Sequence, residues 1–200
     1  MAVSVDARYF ELFYQQPDPW GYRTRWYEQR KRALLLAALH RSRYRRGLEL
    51  GCSIGETTAA LAPRCDELVA TDANAVAVEH ARRRMGDTSQ VRVLCMHHPE
   101  QWPRFHFDLV VFSELGYYLD ADDLDATLRL VIGSLDQDAL VLACHWRRPI
   151  QGCPWTGDEV HARMHRRLPL ARIFHHEEED MLIDGWTRDG RSVAHGEGIA

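Results

Sequence analysis

Short apolar runs alternate with stretches of helical period along most of the chain. Residues 48–50, 67–71, 91–95, 107–112 and 139–144 are rich in Val, Leu and other strand formers and predict five β-strands. Between them, 56–62 stops at Pro63, 75–85 stops at Gly86, and 122–135 opens on acids that suit a helix N-terminus. Such alternation predicts a largely parallel sheet covered by helices on both faces. Upstream, 26–39 reads as a helix, with Arg30, Lys31 and Arg32 near its middle and Leu34, Leu35, Leu36 and Leu39 supplying an apolar side. Downstream, Thr156-Gly-Asp-Glu159 has capping-box spacing and starts a helix running to about Arg167. Two further strands, 170–176 and 181–187, flank the acidic connection 177–180 and form an antiparallel hairpin, and the tail from Asp189 reads as frayed.

Composition narrows the class. With 200 residues, 46% of them hydrophobic, the chain can bury one sizeable core, which excludes disorder, collagen and a disulfide miniprotein. No run approaches the ~20 apolar residues of a membrane span, and residues 1–10 lack a basic segment followed by an apolar one, so a soluble, cytoplasmic protein is expected. Five cysteines without a C-x-x-C pair fit reduced thiols and argue against zinc. The net charge of −4 conceals an asymmetry, because residues 1–46 hold ten basic and four acidic groups. The arm's excess reads first as a solvated helix face, and the dominance of Arg, twenty-four of twenty-five basic residues, reads as compositional bias.

The most informative segment is Gly47-Leu-Glu-Leu-Gly-Cys-Ser-Ile-Gly55-Glu-Thr-Thr, directly after the first strand. Glycines there allow backbone to approach a ligand at the strand's carboxyl end, where open sheets bind nucleotides. A dinucleotide fingerprint is absent, since Ser53 and Glu56 stand where its second and third glycines belong, and no Lys supplies a phosphate loop. What remains is E-x-G-x-x-x-G, followed by Asp72 at the end of the next strand, where a carboxylate can accept both ribose hydroxyls.

Glu49-Leu-Gly-Cys-Ser-Ile-Gly55 with Asp72 resembles motif I and its partner in class I S-adenosylmethionine-dependent methyltransferases. More narrowly, Asp18-Pro19-Trp20, residues 47–55, Leu61-Ala62-Pro63-Arg64-Cys65 and the run from Phe107 to Leu119 containing Ser113-Glu114-Leu-Gly-Tyr117-Tyr118 resemble the nodulation protein S (NodS-like) methyltransferases, over roughly residues 18–187. The resemblance implies a Rossmann-like sheet of order 3-2-1-4-5-7-6, with S-adenosylmethionine over its first four strands. It implies that Gly51, Cys52 and Gly55 approach the cofactor, that Asp72 holds its ribose, and that Ala73 packs on adenine. Glu49, Ser53 and Ser113 complete that set, and His97 stands where many relatives present an acid to the adenine amine. Ser53 replaces a common glycine, and Asp138 the glycine usual before strand five. In similar proteins residues 1–46 fold over the cofactor; Trp20 is the expected contact, Tyr22, Trp26 and Tyr27 crowd nearby, and Arg23 or Arg25 can meet the methionine carboxylate.

Methyl transfer to an amine needs orientation and loss of one proton. Glu114, ending strand four, can orient an ammonium, and His145, ending strand five, can take the proton with an ordinary pKa of about 6.5. Tyr117, Tyr118 and Trp146 would wall the acceptor, and the irregular segment containing Arg147, Pro149 and Gly152-Cys-Pro-Trp155 reads as the substrate loop. Neither His97-His98 nor His175-His176 has metal-ligand spacing, so no metal is expected. The resulting picture is an arm (1–46), a methyltransferase core (47–188) and a tail (189–200). Its expected activity, by resemblance, is N-methylation of a small amino-sugar-like acceptor. Another small aromatic or lipid acceptor, or a non-catalytic cofactor-binding module, stays open. Nucleic acid is disfavoured because strand four ends Ser113-Glu-Leu-Gly rather than Asp/Asn-Pro-Pro-aromatic, and the sequence sets no oligomeric state.

Overall fold

The computed structural model describes residues 3–200; Met1 and Ala2, on which the reading of an unexported start partly rests, lie outside the described residues. Seven strands form one sheet in the order β3-β2-β1-β4-β5-β7-β6. These are β1 (Tyr44–Leu50), β2 (Cys65–Asp72), β3 (Val91–Cys95), β4 (Phe107–Ser113), β5 (Leu135–Trp146), β6 (Ala171–Glu177) and β7 (Met181–Thr187). All are parallel except β7, which runs antiparallel between β5 and β6. Helices α1 (Trp26–Ala37), α2 (Glu56–Leu61), α3 (Ala75–Met85), α4 (Ala121–Gly133) and α5 (Gly157–Arg167) surround it.

Strand periodicity divides the core. Leu48, Leu50, Val110, Phe112, Val141 and Ala143 share one cluster with Leu124, Leu128, Val160 and Met164 of α4 and α5. The alternate positions Leu109, Val111, Leu140, Leu142 and Cys144 join Leu35 of α1 and Leu61 of α2. Central strands buried on both faces explain why their sequences are nearly continuous apolar runs. Edge strand β6 instead exposes Ala171, Arg172, His175 and Glu177, which discourages further pairing.

Several boundaries differ from expectation. The division at 46/47 cuts through β1, whose Tyr44 is buried and whose Arg46 pairs with Glu67 of β2 at 2.7 Å. Helix α4 stops at Gly133 because Leu135 already pairs with Phe107, so β5 begins four residues before Ala139. The tail is not wholly frayed: Val193–Gly196 forms a helical turn, α6, capped by Ser192, whose hydroxyl accepts the His195 N–H at 3.1 Å. No helix among the described residues is long and apolar enough to cross a membrane.

Chain order reverses between β1 and β4, where Leu50 lies opposite Phe112. Splayed loops at such a reversal leave a crevice beyond the strands' carboxyl ends.

Candidate functional site

A cavity of about 880 Å³ fills that crevice, walled by the ends of β1, β2, β4 and β5 and roofed by side chains from residues 4–31. The loop after β1 is pinned to β2, since Gly51 and Cys52 N–H groups both donate to the Thr71 carbonyl, at 2.9 and 2.8 Å. Gly51 has φ +74°, and a Cβ there would come within 3.4 Å of Leu115, so its bareness opens the cavity floor. Ser53 accepts a left-handed φ of 48° and is tied to the arm through Tyr14, whose hydroxyl lies 2.7 Å from the Ser53 hydroxyl. Asp72 receives the Ser53 N–H at 2.8 Å and the Asn74 N–H at 2.9 Å, and Asn74 in turn caps α3. Burial raises the Asp72 carboxyl while those two amides oppose the rise; the fixed carboxylate faces the cavity beside Ala73 and His97.

On the opposite side, Glu114 holds a left-handed φ of 54°, a strained conformation that aims its carboxylate inward from the end of β4. Its Oε1 accepts from Lys31 Nζ at 2.7 Å. Its Oε2 accepts from the Tyr117 hydroxyl and, at 3.1 Å, from the Trp146 N–H. Lys31 Nζ also lies 2.8 Å from Glu28 Oε2, with the Tyr22 and Tyr27 rings 5.9 and 5.5 Å away. Burial pulls the Lys31 pKa down, but the carboxylates of Glu114 and Glu28 outweigh it and hold the ammonium well above its ordinary range. Among the described residues, the carboxylates of Glu28, Asp72, Glu100, Glu114, Asp123 and Asp180 line the cavity together with the cations Arg25 and Lys31.

Of the residues singled out from sequence, Trp20, Gly51, Ser53, Asp72, Ala73, His97, Glu114, Tyr117, Tyr118 and Trp146 line the cavity together. Others do not. His145 is fully buried, its Nδ1 3.0 Å from His161 Nε2 and its Nε2 accepting the Gly116 N–H at 3.1 Å, so it has no route to an acceptor's proton. Burial and His161 push its pKa well below the ordinary imidazole value. Glu49 turns beneath the loop, where it accepts the Thr58 hydroxyl at 2.6 Å; burial pushes its pKa up to about 8. Cys52 faces Val78, Ala81 and Val93 instead of the cavity. Gly55 serves packing, since a Cβ there would lie 3.0 Å from Ala81. Ser113 is half-buried and does not line the cavity; its carbonyl lies 3.6 Å from a Cβ built on Gly51. Arg147 is captured by Asp158 and Glu177, each at 2.9 Å, and by the Glu178 carbonyl. Beyond Trp146, the expected substrate loop contributes Ile150, while Trp155 turns back to donate to the Leu119 carbonyl at 2.8 Å. Arg25, not Arg23, lines the cavity; Arg23 pairs with Glu56 at 2.8 Å, and Trp26 is exposed. His175 lies against Asp184 and His176 against Glu178.

Sequence reasoning missed Glu28 and Lys31, which it left on a solvated face, and Tyr14 and Phe10 of the arm. A signal existed: Glu28, Lys31 and Leu35 are spaced i, i+3, i+7, the inward stripe of α1.

The strand order, the glycine loop and a fixed carboxylate at the ends of β1 and β2 define the class I S-adenosylmethionine-dependent methyltransferase fold. Within it, the chain belongs to the nodulation protein S (NodS) family, whose model matches residues 10–157. It is 32% identical over 127 residues to nodulation protein S of Bradyrhizobium diazoefficiens, an alignment covering 62% of this chain and 61% of that one. The chain thus spans about three fifths of that relative's length. Its structure is similar to that of a candidate methyltransferase from Pseudomonas syringae, 49% identical, with TM-score 0.74, covering 82% of this chain and all of the other. It also matches N-methyltransferase NodS from Bradyrhizobium japonicum WM9, solved with S-adenosyl-L-homocysteine. That match is 22% identical with TM-score 0.83, covering 91% and 97% of the two chains, and is a likeness of fold.

Proposed function

We propose that this chain is an S-adenosylmethionine-dependent N-methyltransferase whose acceptor is the amine of a small, amino-sugar-like molecule. The carrying observation is the Glu28–Lys31–Glu114 cluster, two carboxylates sharing one ammonium against aromatic rings at the cavity wall. Such a cluster is one positive charge short, and an acceptor ammonium completes it on docking, whereas a hydroxyl brings no charge; one proton must then pass from the ammonium to solvent water before its nitrogen has the lone pair that methyl transfer needs. Tyr117, Tyr118 and Trp146 add flat faces of the kind that sugars and cations both favour. Three donors hold Glu114 still, so it serves to orient the acceptor.

The cofactor side fits S-adenosylmethionine. Asp72, with backbone donors on both oxygens, retains lone pairs for ribose hydroxyls, and the bare Gly51 admits the ligand. Ala73 and His97 would flank adenine, and Trp20 and Arg25 the methionine end. When bound, S-adenosylmethionine supplies an electrophilic methyl group on a sulfonium. The arm's task is then to exclude water: Val5 N–H bonds the Tyr118 carbonyl at 2.8 Å, and Phe10 packs edge-on against Tyr118.

The test is transfer of labelled methyl from S-adenosylmethionine to glucosamine, a deacetylated chito-oligosaccharide and a phenol. Amine methylation that falls at least about 10²-fold in Glu114→Gln, with S-adenosylhomocysteine affinity kept, is expected. Asp72→Ala should abolish binding of that product. Methylation of the phenol alone would replace the amine reading. Product binding without turnover on any of the three acceptors would favour a non-catalytic module.

A further inference from the structure

Behind the acceptor wall runs a buried polar chain that the proposed chemistry leaves unused. His145 Nδ1 lies 3.0 Å from His161 Nε2, and His161 Nδ1 lies 2.7 Å from Asp184 Oδ2. His145, His161 and Asp184 are 0%, 3% and 2% exposed, a costly burial that needs complete pairing. The pairing is complete, and one end dictates its direction. The Gly116 amide can only donate, so His145 Nε2 accepts its proton at 3.1 Å. Neutral His145 therefore carries its own proton on Nδ1 and gives it to His161 Nε2, and His161 gives its Nδ1 proton to Asp184. Asp184 closes the chain through Oδ1, which receives His175 at 2.8 Å and Arg172 at 3.3 Å near the sheet edge.

What the chain grips is the turn Gly116–Tyr118, whose Tyr117 hydroxyl clamps Glu114 and whose Tyr118 carbonyl anchors the arm. That turn has no slack on its inner side, since a Cβ on Gly116 would lie 2.4 Å from Val160 and 3.2 Å from His145 Nε2. We propose that His145, His161 and Asp184 are positioning residues: they fix the Gly116 turn and thereby the Tyr117–Glu114 geometry that orients the acceptor. The proposal rests on the acceptor-side reading above, and assigns His145 a task without proton transfer.

The test compares His145→Leu, which removes both ring nitrogens, with His145→Gln, which keeps an acceptor within reach of the Gly116 amide. Three quantities are read: S-adenosylhomocysteine affinity by calorimetry, amide hydrogen exchange across 114–119 in the product complex, and kcat and KM for glucosamine. In His145→Leu, affinity should stay within about twofold, exchange at Gly116 should quicken at least tenfold, and kcat/KM for glucosamine should fall at least tenfold. His145→Gln should recover most of both losses. Unchanged exchange and kcat/KM in His145→Leu would overturn the proposal, as would product affinity falling in step with turnover, or no rescue by Gln. Should His145→Leu fail to fold, His161→Gln carries the same comparison from one residue further out. If the wild-type protein methylates no amine, the N-methyl reading falls, while the exchange comparison still decides the positioning role.

Discussion

At the scale of single residues, ordinary side chains acquire unusual duties through where the backbone leaves them. Glu49 is the clearest case, a strand residue 2% exposed with a single hydroxyl donor and a pKa pushed up to about 8 by burial. In the unfolded chain the same carboxyl titrates at about 4.3. Between those values the unfolded chain releases a proton that the folded one keeps, so stability is fully present below the lower value and falls as pH rises toward 8. The slope in that window is at most about 1.4 kcal/mol per pH unit. Glu49→Gln, which cannot ionise and still accepts from Thr58, should match the wild type in Tm near pH 4 and exceed it near pH 8. Parallel Tm curves for the two proteins would refute that assignment. The placement of Gly51 and Asp72 at the cavity was legible in the sequence because it follows from backbone shape at a strand end, which spacing records. Glu49 and His145 were misread because strand ends alternate faces, and a one-residue difference separates the cavity from the core.

Elements were legible where their boundaries carry chemistry of their own. Thr156 and Glu159 make the reciprocal cap that their spacing predicts, the Glu159 N–H to Thr156 Oγ1 at 3.3 Å and the Thr156 N–H to Glu159 Oε2 at 2.8 Å. Replacing Thr156 by Ala removes that hydroxyl from the first turn of α5 and should cost about 1 kcal/mol, or roughly 2–4 °C of Tm for a chain of this size. An unchanged Tm by calorimetry would mean that Gly157, packed 2.3 Å from the Trp146 carbonyl if given a Cβ, fixes the helix start instead. Where the boundary signal was weak, tertiary pairing decided. The α4–β5 junction has no glycine after Gly133, and Leu135 leaves the helix because Phe107 offers a strand partner. Helix α1 shows the converse difficulty. Its inward stripe includes two charged residues, so a rule that sends charges outward hides the face that matters.

At the scale of the molecule, the charge asymmetry between arm and remainder looks at first like an invitation to an anionic partner. The fold gives it another use. Arg23 pairs with Glu56, Arg30 with Glu178, Arg41 with Asp138, Arg43 with Asp66, Arg45 with Asp136 and Arg46 with Glu67, at 2.5 to 2.8 Å, and Lys31 with Glu114. The arm's surplus is thus largely matched by the acids of the remainder, which composition alone cannot reveal because it records charges without their neighbours. The exposed pairs among these contribute only about 0–1 kcal/mol each, and aromatic packing secures the arm. Phe13 stacks on Trp20 at 5.5 Å and Tyr14 meets Trp20 at 5.4 Å, near the cofactor side. Cations already paired with acids are not free to displace the counterions condensed on a polyanion. The protein should therefore leave a heparin column by roughly 0.15 M salt, where the screening length is about 8 Å. Retention well beyond that point would mean that the arm's arginines exchange their acidic partners for phosphate or sulfate, and a nucleic-acid acceptor would have to be weighed against the amine.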